Sequence, residues 1–358
     1  MARRAKTSVS TVSNWLNGRP ERMRPETVRR IEAAIEALGY RPSWAARNLK
    51  KGFAPVIGLL VPSVSNPFHG ALARGVEIAA QRRGFQVVLG NSLRDPARER
   101  GYAEDFFAFG IRGVIIGSSP FDLAHFTELM GRGLSVVAFD LVAAGHSGIP
   151  PMDSVSIDNH RAGYLATRHL VELGHRRIGY ISGSTPTRSR RDRLEGYRAA
   201  LAEAEIEATG DLIAAGVATV GYDDIHAAEH GRTAAHELLQ LPEPPTALVA
   251  LNDMHALGAC AAVRDRRLSV PEDISVVGID DIALANLIHP PLTTVHQPIE
   301  ELSEGAVDLL TRRIKGEDPP AQQLVFEPHL VVRGSTAALL SKASDTGKEE
   351  DNQYTAVA

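Results

Sequence analysis

Residues 7–18 read TSVSTVSNWLNG, and the small hydroxyls and amides of this stretch suit one kind of chemistry. Val12, Trp15 and Leu16 follow the i, i+3, i+4 spacing of a helix and define one apolar stripe. Ser8, Ser10 and Ser13 lie beside or away from that stripe. A helix face of small donors with few carboxylates can approach phosphates and base edges closely, where bulky or acidic groups are excluded. Ahead of it, residues 2–5 read as the end of another helix, with Lys6 and Thr7 left for a turn. Helix, tight turn, then a Ser/Thr-led helix is the helix-turn-helix arrangement. Nothing for covalent or metal catalysis accompanies it. There is no Gly-x-Ser-x-Gly elbow and no P-loop, and His255, His289 and His296 lack metal-ligand spacing. The reading is therefore not an enzyme, with no cofactor and no metal.

The charge distribution supports a polyanionic partner for this end of the chain alone. Residues 1–52 carry 12 Lys/Arg against four acids, a balance of +8, within a 358-residue chain whose net charge is −4. A basic head on an acidic body points to nucleic acid at the head. One cysteine, Cys260, excludes an internal disulfide and fits a reducing compartment; its small apolar surroundings make it a packed thiol rather than a nucleophile. No apolar run approaches the roughly 18 residues of a membrane span, and the N-terminus has charge but no apolar signal core. The expected location is the cytoplasm, in association with the nucleoid.

Several elements must position these groups. Arg24-Pro25-Glu26 opens a helix with proline in its first turn, Val28, Ile31, Ala34, Ile35 and Leu38 keep its period, and Gly39 stops it. Residues 41–52 hold a short helix, too short to be stable alone and so a natural switch between two domains. From Val56 the text becomes apolar runs alternating with helical stretches. Strands are predicted at 56–61, 86–89, 113–116, 135–139 and 155–157, then at 177–181, 247–251 and 274–279. Helices are predicted at 67–83, 98–109, 192–204, 226–240, 254–266 and 299–314, with further strand text at 292–296 and 324–333. This is βαβα text twice over: an α/β body of two doubly wound lobes of parallel sheet, the chain crossing between them more than once. Ligands bind in such folds beyond the strand C-termini, here between the lobes.

With these motifs in order, the sequence resembles the LacI/GalR family of bacterial transcription regulators over nearly its whole length. The carriers are Ser8-Val-Ser-Thr-Val-Ser13 with Leu16-Asn17, Arg41-Pro-Ser with Ala45-Ala-Arg-Asn-Leu49, and Ser65-Asn-Pro-Phe68. Gly174-His-Arg-Arg-Ile178, Arg193-Leu-Glu-Gly196, Asn252-Asp-Met-His-Ala256, Val277-Gly-Ile-Asp-Asp281 and Leu292-Thr-Thr-Val295 complete the set. The resemblance implies a helix-turn-helix head over 1–40, a hinge helix and linker over 41–53, and a periplasmic-binding-protein-like body over 54–340. Lobe 1 is expected at about 54–160 plus 291–323 and lobe 2 at about 161–290 plus 324–340, with a disordered tail at 341–358. It implies a homodimer on double-stranded operator DNA, most often as a repressor. Val9 and Ser10 take positions that read base edges, and Ser8, Ser13 and Asn17 take phosphate positions. Leu49, beside Ala46, takes the place of a minor-groove wedge; packing of Leu49 on the body is the alternative. Relatives usually carry several residues before the position of Ala2, so Met1 is expected to fall inside the first helix. A turn glycine is replaced by Lys6, which costs about 1 kcal/mol if that residue needs φ > 0.

The implied effector cleft holds Phe68, His69, Asp140, Ser189, Arg193, His226, Asn252 and Asp280. Two carboxylates accept from pairs of hydroxyls, Arg193 is a planar donor fork, and Asn252 both donates and accepts. Such a set fits a sugar, another polyol or a nucleoside. Where relatives often stack an aromatic on the effector this chain has His226, and His69 stands where a second ring is common. Asp253 is expected as a helix N-cap, and His175 as a residue that holds a loop. The same body would also serve a periplasmic-type sugar-binding protein, against which the +8 head argues.

Overall fold

The computed structural model describes residues 1–16, 23–39, 55–119, 123–140, 152–183, 187–214, 225–317 and 319–339. The expectations for Asn17, Ala46, Leu49, the 41–53 hinge and the 341–358 tail lie outside these residues.

In the head, residues 1–5 close as a helix end does: the Ala5 N–H donates to the Met1 carbonyl at 3.0 Å, the Thr7 N–H to the Ala2 carbonyl at 3.1 Å and the Lys6 N–H to the Arg3 carbonyl at 3.3 Å, the paired bonds that finish a helix at a left-handed residue. Lys6 follows at φ 48°, in the left-handed region that favours glycine. Helix α1 (Val9–Leu16) starts where the Ser8 hydroxyl accepts from the Thr11 N–H at 3.0 Å, a serine N-cap. Helix α2 (Pro25–Leu38) begins with its proline and ends at Gly39, φ 55°, whose N–H bonds back to the Glu36 and Ile35 carbonyls. The stripe read from the sequence is the contact between them: Val12 is buried with Ala5, Ile31 and Ala34, and Trp15, Leu16 and Ile35 close the cluster.

The body is two six-stranded sheets. The first joins β1 (Val56–Val61), β2 (Gln86–Asn91), β3 (Gly113–Ile116), β4 (Ser135–Phe139), β5 (Asp153–Ile157) and β11 (Gln323–Phe326) in the order β11-β5-β4-β3-β1-β2. All its pairings are parallel. The second joins β6 (Ile178–Ile181), β7 (Ile213–Ala214), β8 (Ala247–Ala250), β9 (Ser275–Asp280), β10 (Thr293–His296) and β12 (His329–Val331) in the order β12-β10-β9-β8-β6-β7. There the edge strand β12 alone runs antiparallel to its neighbour. The strands β1, β3, β5, β6, β8 and β9 are buried along their whole length, and all but β5 accordingly read as largely apolar runs; β5, Asp153-Ser-Val-Ser-Ile157, alternates although it is buried throughout.

The boundary expectations need correcting. The text at 324–333 is two strands: β11 adds to β5 of the first sheet and β12 to β10 of the second. Thr293–His296, expected in lobe 1, is β10 of the second sheet, because it pairs in parallel with β9. Helix α3 (Pro67–Arg82), α4 (Pro96–Ala108) and the short α5 (Thr127–Gly131) serve the first sheet. Helix α6 (Asn159–Glu172), not legible from the apolar pattern, lies against α7 (Arg188–Glu203). Helices α8 (Ile225–Leu238), α9 (Asp253–Asp265) and α10 (Ile299–Ile314) complete the layers.

Two glycines set how closely α6 and α7 approach. A Cβ on Gly163 would overlap the Arg193 carbonyl, and one on Gly196 would overlap the His160 carbonyl. The contact is reciprocal, backbone on backbone, so neither helix can give way by turning a side chain. Gly231 and Gly258 do the same for α8 and α9.

Two outcomes follow. Lys6→Gly should stabilise the head by about 1 kcal/mol, seen as slower amide exchange at Val12 and Ile31; unchanged exchange would mean that the left-handed turn carries no strain. Gly196→Ala should lower the stability of the body by about 3 kcal/mol or more, read from its denaturant midpoint, whereas Gly101→Ala, which meets no neighbour, should not.

Candidate functional site

The polar residues that face one another between the lobes sit just past the C-terminal ends of strands. Asn66 follows β1, Arg94 β2, Ser119 β3, Asp140 β4 and Asn159 β5; from the second sheet come Asn252 after β8, Asp280 ending β9 and Gln297 after β10. Together they surround a cleft between the lobes. Phe68, His69, Asp140, Ser189, Arg193, Asn252 and Asp280 all line it, so seven of the eight expected cleft residues come together there.

The backbone at these strand ends is unusual. Of the nine non-glycine residues with positive φ among those described, six stand here: Leu93, Arg94, Ser119, Asp140, Asp280 and Asp281. Each such conformation costs free energy and persists only where the surrounding fold over-determines it, as at ligand sites.

A chain of hydrogen bonds joined by one ion pair runs across the cleft floor. Asn159 donates through Nδ2 to Asp140 Oδ1 at 2.8 Å. Its Oδ1 accepts from Arg193 Nε at 2.9 Å. Arg193 Nη1 donates to the Leu251 carbonyl at 2.9 Å and lies 3.7 Å from Asp280 Oδ1. Gln297 Nε2 donates to that same oxygen at 2.6 Å. The chain thus passes from β4 of the first sheet to β10 of the second through one guanidinium, whose residue is only 8% exposed. Desolvation pushes the Asp140 carboxyl up from its ordinary range, while Arg193, Asn159, Ser119 and Arg94 pull the other way. The lobes also meet at Ser119 and Ser189: the Ser119 hydroxyl donates to Ser189 Oγ at 2.9 Å and accepts from the Ser189 N–H at 3.2 Å.

Several expected roles change. Asn252, not Asp253, is the N-cap of α9: its Oδ1 accepts from the His255 N–H at 3.1 Å and lies 2.7 Å from His255 Nδ1. Asp253 is the first helical residue, fully buried; it accepts from the Ile282 N–H at 2.9 Å and from the Thr294 hydroxyl at 2.5 Å, and burial pushes its pKa up to about 6. His226 does not line the cleft. It is exposed in the first turn of α8, its ring 6.5 Å from that of His230 one turn on. Phe68 lines the cleft but also packs on the apolar cluster of the second lobe. His69 is buried, with Nδ1 at 3.1 Å from the Ser63 carbonyl. His175 holds a loop as expected, reaching Thr246 Oγ1 at 2.9 Å and both Ser275 Oγ and the Ala337 carbonyl at 3.1 Å. Burial pushes the Cys260 thiol up to about 12, consistent with a packed thiol.

Arg94, Ser119, Asn159, Arg190 and Gln297 escaped the sequence reading. The available signal was position: each except Arg190 lies within a few residues of a strand's C-terminal end, where open α/β sheets bind ligands.

On the head, Ser8, Val9, Ser10 and Ser13 share α1 and its cap. Val9 is 76% exposed although apolar. Ser8 Oγ is engaged as the cap and lies 2.7 Å from Ser10 Oγ. Arg3, Arg4 and Lys6 beside them are exposed.

Residues 1–43 match the family described as bacterial regulatory proteins, lacI family, and residues 167–336 match a periplasmic binding protein-like domain. The chain is 36% identical to the ribose operon repressor of Escherichia coli (strain K12), over 94% of this chain and 98% of that one. Among solved structures it is similar to the transcriptional regulator CelR–cellobiose complex, with 33% identity, a TM-score of 0.68 and coverage of 93% and 98% of the two chains. It is also similar to the lac repressor dimer bound to operator and the anti-inducer ONPF, with 26% identity, a TM-score of 0.81 and coverage of 94% and 98%.

Removing Arg193 should leave Asp280 buried beside an unfilled site. Arg193→Ala should therefore cost about 3–5 kcal/mol of stability, and Arg193→Ala combined with Asp280→Asn should recover part of it. Additive losses in that double-mutant cycle would show that the two groups do not interact.

Proposed function

The chain belongs to the LacI family of bacterial regulatory proteins, and from that premise we propose that its head binds an operator as a homodimer under the control of a sugar or nucleoside in the cleft. The observation that carries this reading is the Asp140–Asn159–Arg193–Asp280–Gln297 chain, which ties the two sheets through groups able to bind hydroxyls. An effector that takes these donors and acceptors changes what holds the lobes in register. A coupling of about 1–3 kcal/mol between cleft and operator is sufficient for regulation. Asp140, Arg193, Asn252 and Asp280 are the effector contacts in this reading, with Ser119, Asn159 and Gln297 beside them.

At the head, the exposed Val9 side chain offers apolar contact to a thymine methyl, and Ser10 offers a donor to base edges. Ser8 and Ser13 serve phosphates, with Arg3, Arg4 and Lys6 supplying charge. Among the described residues no helix is long and apolar enough to cross a membrane. The proposed place of action is the cytoplasm, on DNA, and the proposed effect is repression.

Gel-shift binding of the full chain to the DNA upstream of its own gene, with and without a panel of sugars and nucleosides, tests this. A shift altered by one member supports the reading. Its affinity should also fall steeply with salt, by about 0.9 log units per log unit of salt for each phosphate neutralised. Absence of any sequence-preferring shift, or a flat salt response, would overturn it.

A further inference from the structure

Two histidines meet where the chain passes between the lobes. His296 ends β10 of the second sheet, and Gln297 and Pro298 then carry the chain to α10, which packs on the first sheet. β11 of the first sheet ends at Phe326, and after Glu327 and Pro328 the chain enters the second sheet at His329, the start of β12. His296 and His329 are direct partners in the last rung of the antiparallel β10–β12 ladder, and their ring centroids lie 4.7 Å apart.

The charges around the two rings are these. Asp281, just beyond β9, lies 2.9 Å from His296 Nδ1 through one carboxylate oxygen and accepts from Arg333 Nη2 at 2.6 Å through the other. That carboxylate is thus already answered by a guanidinium while both rings are neutral. His296 also lines a cavity with Arg74 and Arg82 of α3, Asp280 at the end of β9, and Glu300, Glu301 and Glu304 of α10. Asp253 lies behind Thr294, and burial pushes its pKa up to about 6. Helix α6 packs on the opposite face of these strands, against Val295 and Leu330, so its charged groups do not face the rings.

We infer that the His296–His329 pair is a pH-sensitive joint between the lobes. With both rings neutral, they pack together and help to hold β12 on β10. Imidazole takes up its proton in the range between about pH 8 and pH 5, and two imidazoliums at this separation repel, while Asp281 can answer only part of the added charge. Parting the rings relieves that repulsion. The paired arrangement is therefore favoured at neutral pH and lost as the pH falls. The cavity beside His296 gives its ring room to turn. Gln297 follows His296 directly and donates to Asp280 in the cleft floor, so a shift at the joint reaches the interlobe network through one peptide. Acid loosens the register of the lobes with no effector bound.

Hydrogen exchange of the full chain, read by mass spectrometry and corrected for the intrinsic effect of pH, tests this. Between about pH 7.5 and about pH 5 the amides of β12, residues 329–331, should lose protection by roughly fivefold or more, while those of β4, residues 135–139, keep theirs. His329→Gln and His296→Gln keep a polar side chain that cannot charge, and each should remove that loss. Asp253 is present in all three proteins, so a difference between them belongs to the rings. No loss in the wild type, or a loss undiminished in both variants, overturns the joint. Its regulatory use rests on the operator-binding reading: the ratio of operator affinities at the two pH values should differ by about fivefold between wild type and His329→Gln. Equal ratios overturn that use. If neither protein binds operator, the operator reading fails, and the exchange result still decides the joint.

Discussion

A single buried guanidinium holds the centre of this molecule. Arg193 is placed where water is scarce, and a cation there is tolerable only if every side of it is answered. Asn159, the Leu251 carbonyl and Asp280 answer it. Those three groups come from the end of β5, the end of β8 and the end of β9, so satisfying one charge fixes the relation between three strand ends of two sheets. The cleft is the space these ends surround.

The position of that guanidinium depends in turn on backbone. Arg193 leaves α7 one turn before Gly196, and its own carbonyl occupies the space a side chain at position 163 would fill. Two glycines let α6 and α7 approach to backbone contact, which brings Asn159, at the head of α6, within reach of Arg193. The left-handed residues at the strand ends belong to the same arrangement. Asp140 and Asp280 are held with φ of 56° and 130°, conformations that the packed sheets behind them enforce.

Much of this was legible in the sequence, for a physical reason. Most strands buried on both faces carry largely apolar text, so 113–116 and 135–139 could be read to the residue, and the helical period of apolar positions did the same for 299–314. The cost of Lys6 could be read too, since its place in a turn demanded a positive φ. What could not be read depended on pairing rather than on pattern. No local signal tells that 323–326 and 329–331 belong to different sheets, because both are short and half-exposed. Helix α6 puts Asn, Gly, Thr and small Ala residues on its buried side and so lacks a clean apolar period. Asn159 was missed with it. Asn252 and Asp253 were confused because either can cap a helix, and only the partners at Ile282 and Thr294 separate cap from buried carboxylate. The place of His226 in the cleft rests on analogy with ring-bearing relatives, whereas the first turn of α8 leaves it exposed and outside the cleft lining.

If one cation both recognises the effector and ties the lobes, then removing it should uncouple the cleft from the head without touching the head. The most direct measurement is fluorescence anisotropy of labelled operator, titrated with wild type and with Arg193→Ala in the presence and absence of the sugar that acts on the wild type. The account predicts an effector-driven change in wild-type operator affinity of roughly five- to 150-fold, and none in Arg193→Ala, which still binds operator. An Arg193→Ala protein that responds to the same sugar with the same change in affinity would contradict it.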